Sequence, residues 1–103
     1  MIKVSIMYPA GEGATFDMDY YLNVHCPLSR EVFGPALKGL SIDKGISGPL
    51  PGSEAPYAFI GHLLFESVAA FMSIMTQGGT RVLEDVPKYT NVSPVVQISD
   101  VIL

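Results

Sequence analysis

The stretch Tyr57–Glu66, YAFIGHLLFE, decides the fold. Tyr57, Phe59, Gly61, Leu63 and Phe65 fall on one side and Ala58, Ile60, His62 and Leu64 on the other, the two-residue period of a strand. Both sides are apolar, which predicts a central strand covered by helices on one face and by a partner or a ligand cavity on the other. Directly after it, Ser67 is placed to cap a helix in which Val68, Phe71, Met72 and Met75 recur at i, i+3, i+4 and i+7, a stripe that docks on a sheet. Gln77-Gly78-Gly79 breaks that helix, Thr80 to Asp85 adds a further short helical turn, and Pro87 closes it. Val92 to Leu103 then alternates as a last strand, with Val95, Gln97, Ser99 and Val101 on one face and Val96, Ile98, Asp100 and Ile102 on the other.

Working back from the same stretch, Gly48 to Pro56 is a Pro/Gly-rich connection, and Leu37 to Ser47 is a strand whose Leu40, Ile42 and Ile46 oppose the small face Gly39, Ser41, Asp43, Gly45. Residues 2–8 form the first strand, with Ile2, Val4, Ile6 and Tyr8 on the buried side and Lys3, Ser5 and Met7 on the other. Pro9 and Gly11 end it. The Gly11-Glu12-Gly13 segment lacks both the third glycine of a dinucleotide loop and the Lys-Ser/Thr of a P-loop, so it reads as a turn. A helix fills Thr15–Val32 and stops near Gly34-Pro35. The order is βαββαβ over residues 1–103, a single α+β domain of ferredoxin-like type with a four-stranded antiparallel sheet.

A chain of 103 residues buries only about two-thirds of its unfolded surface as a monomer. This one is 49% hydrophobic and only 16% charged, against about a quarter charged in ordinary domains, with mean hydropathy +0.36. The surplus predicts a homodimer. No apolar run approaches the roughly 20 residues that cross a bilayer, and the start has no basic segment leading into a long apolar one, so a cytoplasmic protein without membrane association is expected. Net charge is −4, and the six basic residues are scattered, which argues against a nucleic-acid partner. The single cysteine, Cys26, has no disulfide or CxxC partner, and with two histidines it forms no metal-ligand spacing.

Chemistry concentrates in Thr15–Val32, TFDMDYYLNVHCPLSREV. Asp17 is a candidate N-cap, and Tyr21 and His25, four apart, share one helical face that Leu28 and Val32 continue. Pro27 lacks an N–H, so the helix is expected to kink around His25. A Tyr/His pair on an amphipathic helix often has a purely structural role, the imidazole bonding a carbonyl freed by the proline. Its functional reading is a neutral imidazole that takes a proton from a carbon acid or enol and returns it elsewhere, with Tyr21, or Tyr20 on a rotated helix, donating to a carbonyl or enolate oxygen. Both helices of a ferredoxin-like domain cover one sheet face, so the site is expected at the opposite face, reached by Tyr21 and His25 from the helix margin. Asn91 approaches the same mouth, or serves simply as a turn residue. Ser41, Tyr57 and Phe59 are candidate ligand contacts, as is His62, whose plainer reading is a satisfied interior histidine.

The block Tyr20-Tyr21-x-x-x-His25-x-Pro27-Leu28, preceded by Phe16-Asp17, resembles the signature of the EthD family, named for ethyl tert-butyl ether degradation. Asp85-Val86-Pro87-Lys88-Tyr89-Thr90-Asn91, followed by Val95–Val101, resembles the family's C-terminal half, so the resemblance spans essentially the whole chain. It implies a dimeric α+β barrel, two such domains joined through their sheet faces. Members are similar to lactone isomerases, polyketide cyclases or anthrone-type oxygenases, and the founding gene accompanies a cytochrome P450 system in ether degradation, an oxidoreductase setting. The absence of tryptophan removes the Asn/Trp/His set that resembles cofactorless monooxygenases. The expectation is acid–base chemistry without a cofactor (isomerisation, cyclisation, dehydration or oxidation) on a small apolar or aromatic molecule, with His25, Tyr21 and Asn91 catalytic. The alternative is a non-catalytic homodimer that binds an apolar metabolite or supports an oxygenase.

Overall fold

The computed structural model describes residues 1–103. Its four strands are β1 (Ile2–Pro9), β2 (Gly39–Lys44), β3 (Tyr57–Phe65) and β4 (Val95–Asp100), in the sheet order β2-β3-β1-β4. All neighbours are antiparallel. β3 is therefore internal, as its two apolar faces require. Its register on β1 sets Ile2 opposite Phe65 and Val4 opposite Leu63, so the alternating apolar residues of both strands face the same way. These four residues join Phe33 and Val82 from the helices in one buried cluster.

The first helical segment consists of α1 (Met18–Tyr20), a wide five-residue π turn over Tyr21–His25, and α2 (Cys26–Phe33). Asp17 caps it as expected, its carboxylate accepting the Tyr20 N–H at 3.1 Å. Where a kink is expected at Pro27, the helix has that wide turn, with ordinary helical backbone angles at Tyr21, His25 and Cys26. The Cys26 N–H donates to the Tyr21 carbonyl, five residues back, just before the position at which Pro27 has no N–H to give. Gly34, at φ +55°, ends the helix in a backbone conformation that residues with a Cβ avoid.

Ser67 caps α3 (Val68–Ile74), accepting the Ala70 N–H at 3.1 Å. The helix breaks at Gln77 and Gly78 (φ +101°) and resumes as α4 (Thr80–Glu84) before a turn over Val86–Lys88. The docking stripe differs from the one expected. Phe71, Ile74 and Met75 lie against the core, whereas Val68 and Met72 are about half exposed. Phe71, Ile74 and Met75 are the i, i+3, i+4 set, and Val68 and Met72 lie on the rim of that stripe.

Two strands are shorter than the alternation suggested. β4 stops at Asp100 because β1 begins at Ile2, leaving only the Val101 N–H to Met1 carbonyl bond beyond it. β2 is an edge strand that loses its partner past Gly45, whose N–H reaches the Ala58 carbonyl at 2.8 Å. The sheet face opposite the helices carries Ser5, Met7, Ser41, Ile60, His62 and Leu64, and no helix covers it. No helix is long and apolar enough to cross a membrane.

Candidate acid–base site between helix and sheet

The interface between the first helix and the sheet carries a second buried cluster, made of Tyr8, Tyr21, Phe59 and Tyr89. Sequence alternation places Tyr8 at the end of β1's inward face and Phe59 on β3's, opposite each other in register. The wide turn carries Tyr21 and His25 down onto them. The two rings stack 5.5 Å apart at 17°, as their four-residue spacing predicts, and both residues are almost fully buried.

This corrects the expected location. Tyr21 and His25 lie beneath the helix, on the helix-covered sheet face, because a broad apolar face that includes Tyr21, Phe33 and the Cys26 side turns inward as one surface. The wide turn does not aim these side chains around the sheet edge. The simpler structural role for the imidazole, bonding a carbonyl freed by Pro27, is also not the one observed.

His25 Nδ1 lies instead 3.0 Å from Asp85 Oδ2, and both side chains are about 6% exposed. An ionised carboxylate only accepts, so Nδ1–H donates and a neutral His25 leaves Nε2 as an acceptor. The Tyr89 hydroxyl is 3.3 Å from Nε2, and the Tyr8 hydroxyl is 2.7 Å from that of Tyr89. One direction of donation leaves no buried acceptor unpaired: Tyr8 to Tyr89, Tyr89 to His25, His25 to Asp85. On its outer side, Asp85 Oδ1 accepts the Tyr20 hydroxyl at 2.8 Å and has Lys88 Nζ 3.7 Å away.

The electrostatics follow from burial and these contacts. Burial lowers the His25 pKa, and the bond to Asp85 and its charge oppose this without reversing it. Burial works against ionisation of Asp85, but the bonds from His25 and Tyr20, with the charges of His25 and Lys88, outweigh it and hold the carboxyl below its usual range. Burial raises Tyr8, Tyr21 and Tyr89 above an ordinary phenol, so all three are donors at neutral pH. Burial also pushes the Cys26 thiol up, with Arg30 opposing, so it is not an activated thiolate.

Beside this chain lies a small, partly open cavity of about 20 Å³ bordered by Tyr8, Tyr21, His25, Ser29 and Gly61. It has room for one water-sized group. Gly61 helps make it, since a Cβ there would stand 3.0 Å from the Tyr21 hydroxyl. Outside, an open groove of about 880 Å³ runs between Phe16 and the 86–94 segment, with Leu83, Val86, Tyr89 and Val92 among its walls.

The other expected contacts separate. Asn91 is a loop clamp, its side chain accepting from the Thr15 N–H and donating to the Gly13 carbonyl, both at 2.8 Å, away from the imidazole. Phe59 is a wall of the buried aromatic cluster, and Tyr20 reaches Asp85 from the rim. Ser41 and His62 are paired on the uncovered sheet face, where His62 Nε2 contacts Asp43 Oδ2 at 2.7 Å. His62 is thus not wholly satisfied, because Nδ1 is buried without a partner. Tyr57 begins β3 next to the Pro9 end of β1 and joins none of these contacts. Asp85, Tyr8 and Tyr89 escaped as site residues. The available signals were a tyrosine on an otherwise aliphatic strand face and an acid inside the distal motif. No group of three or more His, Cys, Asp or Glu side chains is placed to hold a metal ion.

The sequence pattern of the EthD domain matches residues 11–93. The chain belongs to the EthD family. Its fold is very similar to the crystal structure of an EthD-like protein from Ralstonia eutropha JMP134, at TM-score 0.92 and 34% identity over 99% of this chain and 92% of that one. An EthD family protein from Bacillus halodurans C-125 shares the fold at TM-score 0.77 and 21% identity over 99% of both chains. An Arabidopsis thaliana protein does so at TM-score 0.72 and 12% identity, over 100% of this chain and 97% of that one. A search of curated protein sequences finds no match. The EthD pattern covers His25, Tyr89 and Asp85 but begins after Tyr8.

Proposed function

We propose that this EthD protein transfers protons on a small apolar or aromatic organic molecule, in an isomerisation, cyclisation or dehydration, or in an oxidation in which dioxygen takes the electrons, with His25 as the base. One observation carries the reading: a buried imidazole held by Asp85 on Nδ1, with Tyr89 and Tyr8 in line on Nε2. An imidazole kept neutral by burial can accept a proton at Nε2, and the carboxylate then stabilises the imidazolium that forms. Tyr21, stacked on His25, is the proposed donor to an oxygen of the bound molecule, while Tyr89, whose one proton lies toward Nε2, passes that proton to His25 and takes the substrate's in its place. Asn91 supports the site by holding the 13–15 loop. The proposed setting is a cytoplasmic homodimer formed through the uncovered sheet face, where Met7, Ile60 and Leu64 are presented. Light scattering at micromolar concentration should return twice the 11.1 kDa chain mass, and a monomer would refute that part.

A second reading, a binding or accessory protein without turnover, is favoured by the size of the cavity at His25, about 20 Å³, which admits no organic substrate in this conformation. His25→Asn separates the two, since Asn can hold a hydrogen bond to Asp85 but cannot titrate. Native mass spectrometry of the wild type against a metabolite mixture identifies the bound compound, and the variant is then assayed on it. Under the catalytic reading the variant binds but loses turnover by about 100-fold or more. Turnover at the wild-type rate would eliminate His25 as the base.

A further inference from the structure

The Phe16 ring sits in a box of four aromatic side chains. It stacks on Phe59 at 4.0 Å and 16°, and meets Tyr8, Tyr21 and Tyr89 edge-on at 5.2, 4.9 and 5.3 Å. One parallel neighbour and three perpendicular ones is the arrangement that a planar π system prefers on every side. The four walls are between 1% and 7% exposed, yet Phe16, whose ring they enclose, is only partly buried and lies outside the four strands and the helices, on an isolated antiparallel bridge to Thr90. Four buried aromatic side chains therefore enclose a ring that is itself partly accessible.

We propose that this box is a binding site for a planar aromatic molecule of one or two rings, and that Phe16 occupies it in the ligand-free protein. The proposal rests on the reading of the chain as a small-molecule protein and names the class of molecule. The backbone on both sides of Phe16 is fixed: the Asp17 N–H donates to the Tyr89 carbonyl at 2.7 Å, and the Thr90 hydroxyl donates to the Thr15 carbonyl at 2.7 Å. The side chain alone can leave. Phe16 already lines the groove of about 880 Å³, so open space adjoins the ring on that side. A ligand in its place would lie against Tyr21 and Tyr89, whose rings are 5.5 and 4.6 Å from the His25 imidazole. Phe16 acts as an intramolecular competitor, reducing apparent affinity by the fraction of time the box is vacant.

The test compares binding of 2-naphthol and of its saturated, non-planar analogue decahydro-2-naphthol to wild type and Phe16→Ala by isothermal titration calorimetry. The variant should bind 2-naphthol at least tenfold more tightly than wild type does, and prefer it to the saturated analogue. Equal affinity in the two proteins, or equal affinity for the two alcohols, overturns the proposal. If Phe16→Ala does not fold, nuclear Overhauser contacts between the Phe16 and Phe59 rings are followed in wild type at increasing 2-naphthol. Their loss on saturation supports displacement, and their persistence overturns it. None of these measurements needs turnover, so this site and the role of His25 can fail separately.

Discussion

His25 and Asp85, 60 residues apart in sequence, meet through Nδ1 and Oδ2 at 3.0 Å inside the helix–sheet interface, while the other carboxylate oxygen of Asp85 faces outward to Tyr20. A surface phenol is thereby coupled to a buried imidazole through a single carboxylate. The Tyr20 hydroxyl stabilises the charged form of Asp85 and draws electron density away from His25. In Tyr20→Phe the carboxylate becomes a stronger acceptor for Nδ1–H, so the His25 pKa should rise; in Asp85→Asn the stabilising charge is lost and it should fall. Titration of the His25 resonances by NMR checks both directions, and shifts of the same sign in the two variants would contradict the coupling.

Acid should destabilise the protein in two windows. The folded-state pKa of His25 is lowered, so between that value and about 6.5 the unfolded chain binds more protons and stability falls as pH decreases. That of Asp85 is also lowered, so its contribution is present above about 3.9 and is lost as pH falls through the folded value. The melting temperature should therefore drop from pH 7 toward pH 5, and again below pH 4. His25→Asn should flatten the upper window and shrink the lower one, because the His25 bond and charge help hold the Asp85 carboxyl down. A melting temperature that rises toward pH 5 would mean that the folded protein holds the His25 proton more tightly than the unfolded chain does.

Gly61 opposes Ile6 on β1 and leaves the space that the Tyr21 hydroxyl fills. In Gly61→Ala the methyl would meet that oxygen at 3.0 Å and Ile42 at 3.5 Å. Overpacking of this kind costs about 1–3 kcal/mol. Gly11→Ala, with nothing within 4 Å and no left-handed backbone, is the control, expected to be neutral or stabilising by a few tenths to about 1 kcal/mol. Urea denaturation of the two variants measures the contrast.

Asn91→Ala removes both side-chain bonds to the 13–15 loop. These bonds are exposed, so the cost should be about 1 kcal/mol, with faster amide exchange at Thr15. The His25 titration should stay in place. A displaced His25 pKa in this variant would return Asn91 to the site that its position before the last strand suggested.

Local chemistry determined a great deal of this molecule. Two-residue alternation in Ile2–Tyr8 and Tyr57–Phe65, caps at Asp17 and Ser67, and breaks at Gly34 and Gly78 depend on neighbours within a few residues, and they place the strands and helices in their order. The Tyr21/His25 pairing was legible for the same reason, as helical spacing alone brings the two rings together. Tertiary structure decided which way that pair faces and what completes it. Asp85 and Tyr89 approach His25 only after the second helical segment crosses the sheet, Tyr8 arrives from β1, and Asn91 is drawn off to a loop by backbone groups 76 and 78 residues away. Periodicity states which residues are inside; it carries no information about which buried polar groups from distant segments will meet. That is set by the requirement that every donor and acceptor removed from water finds a partner once the helices have docked.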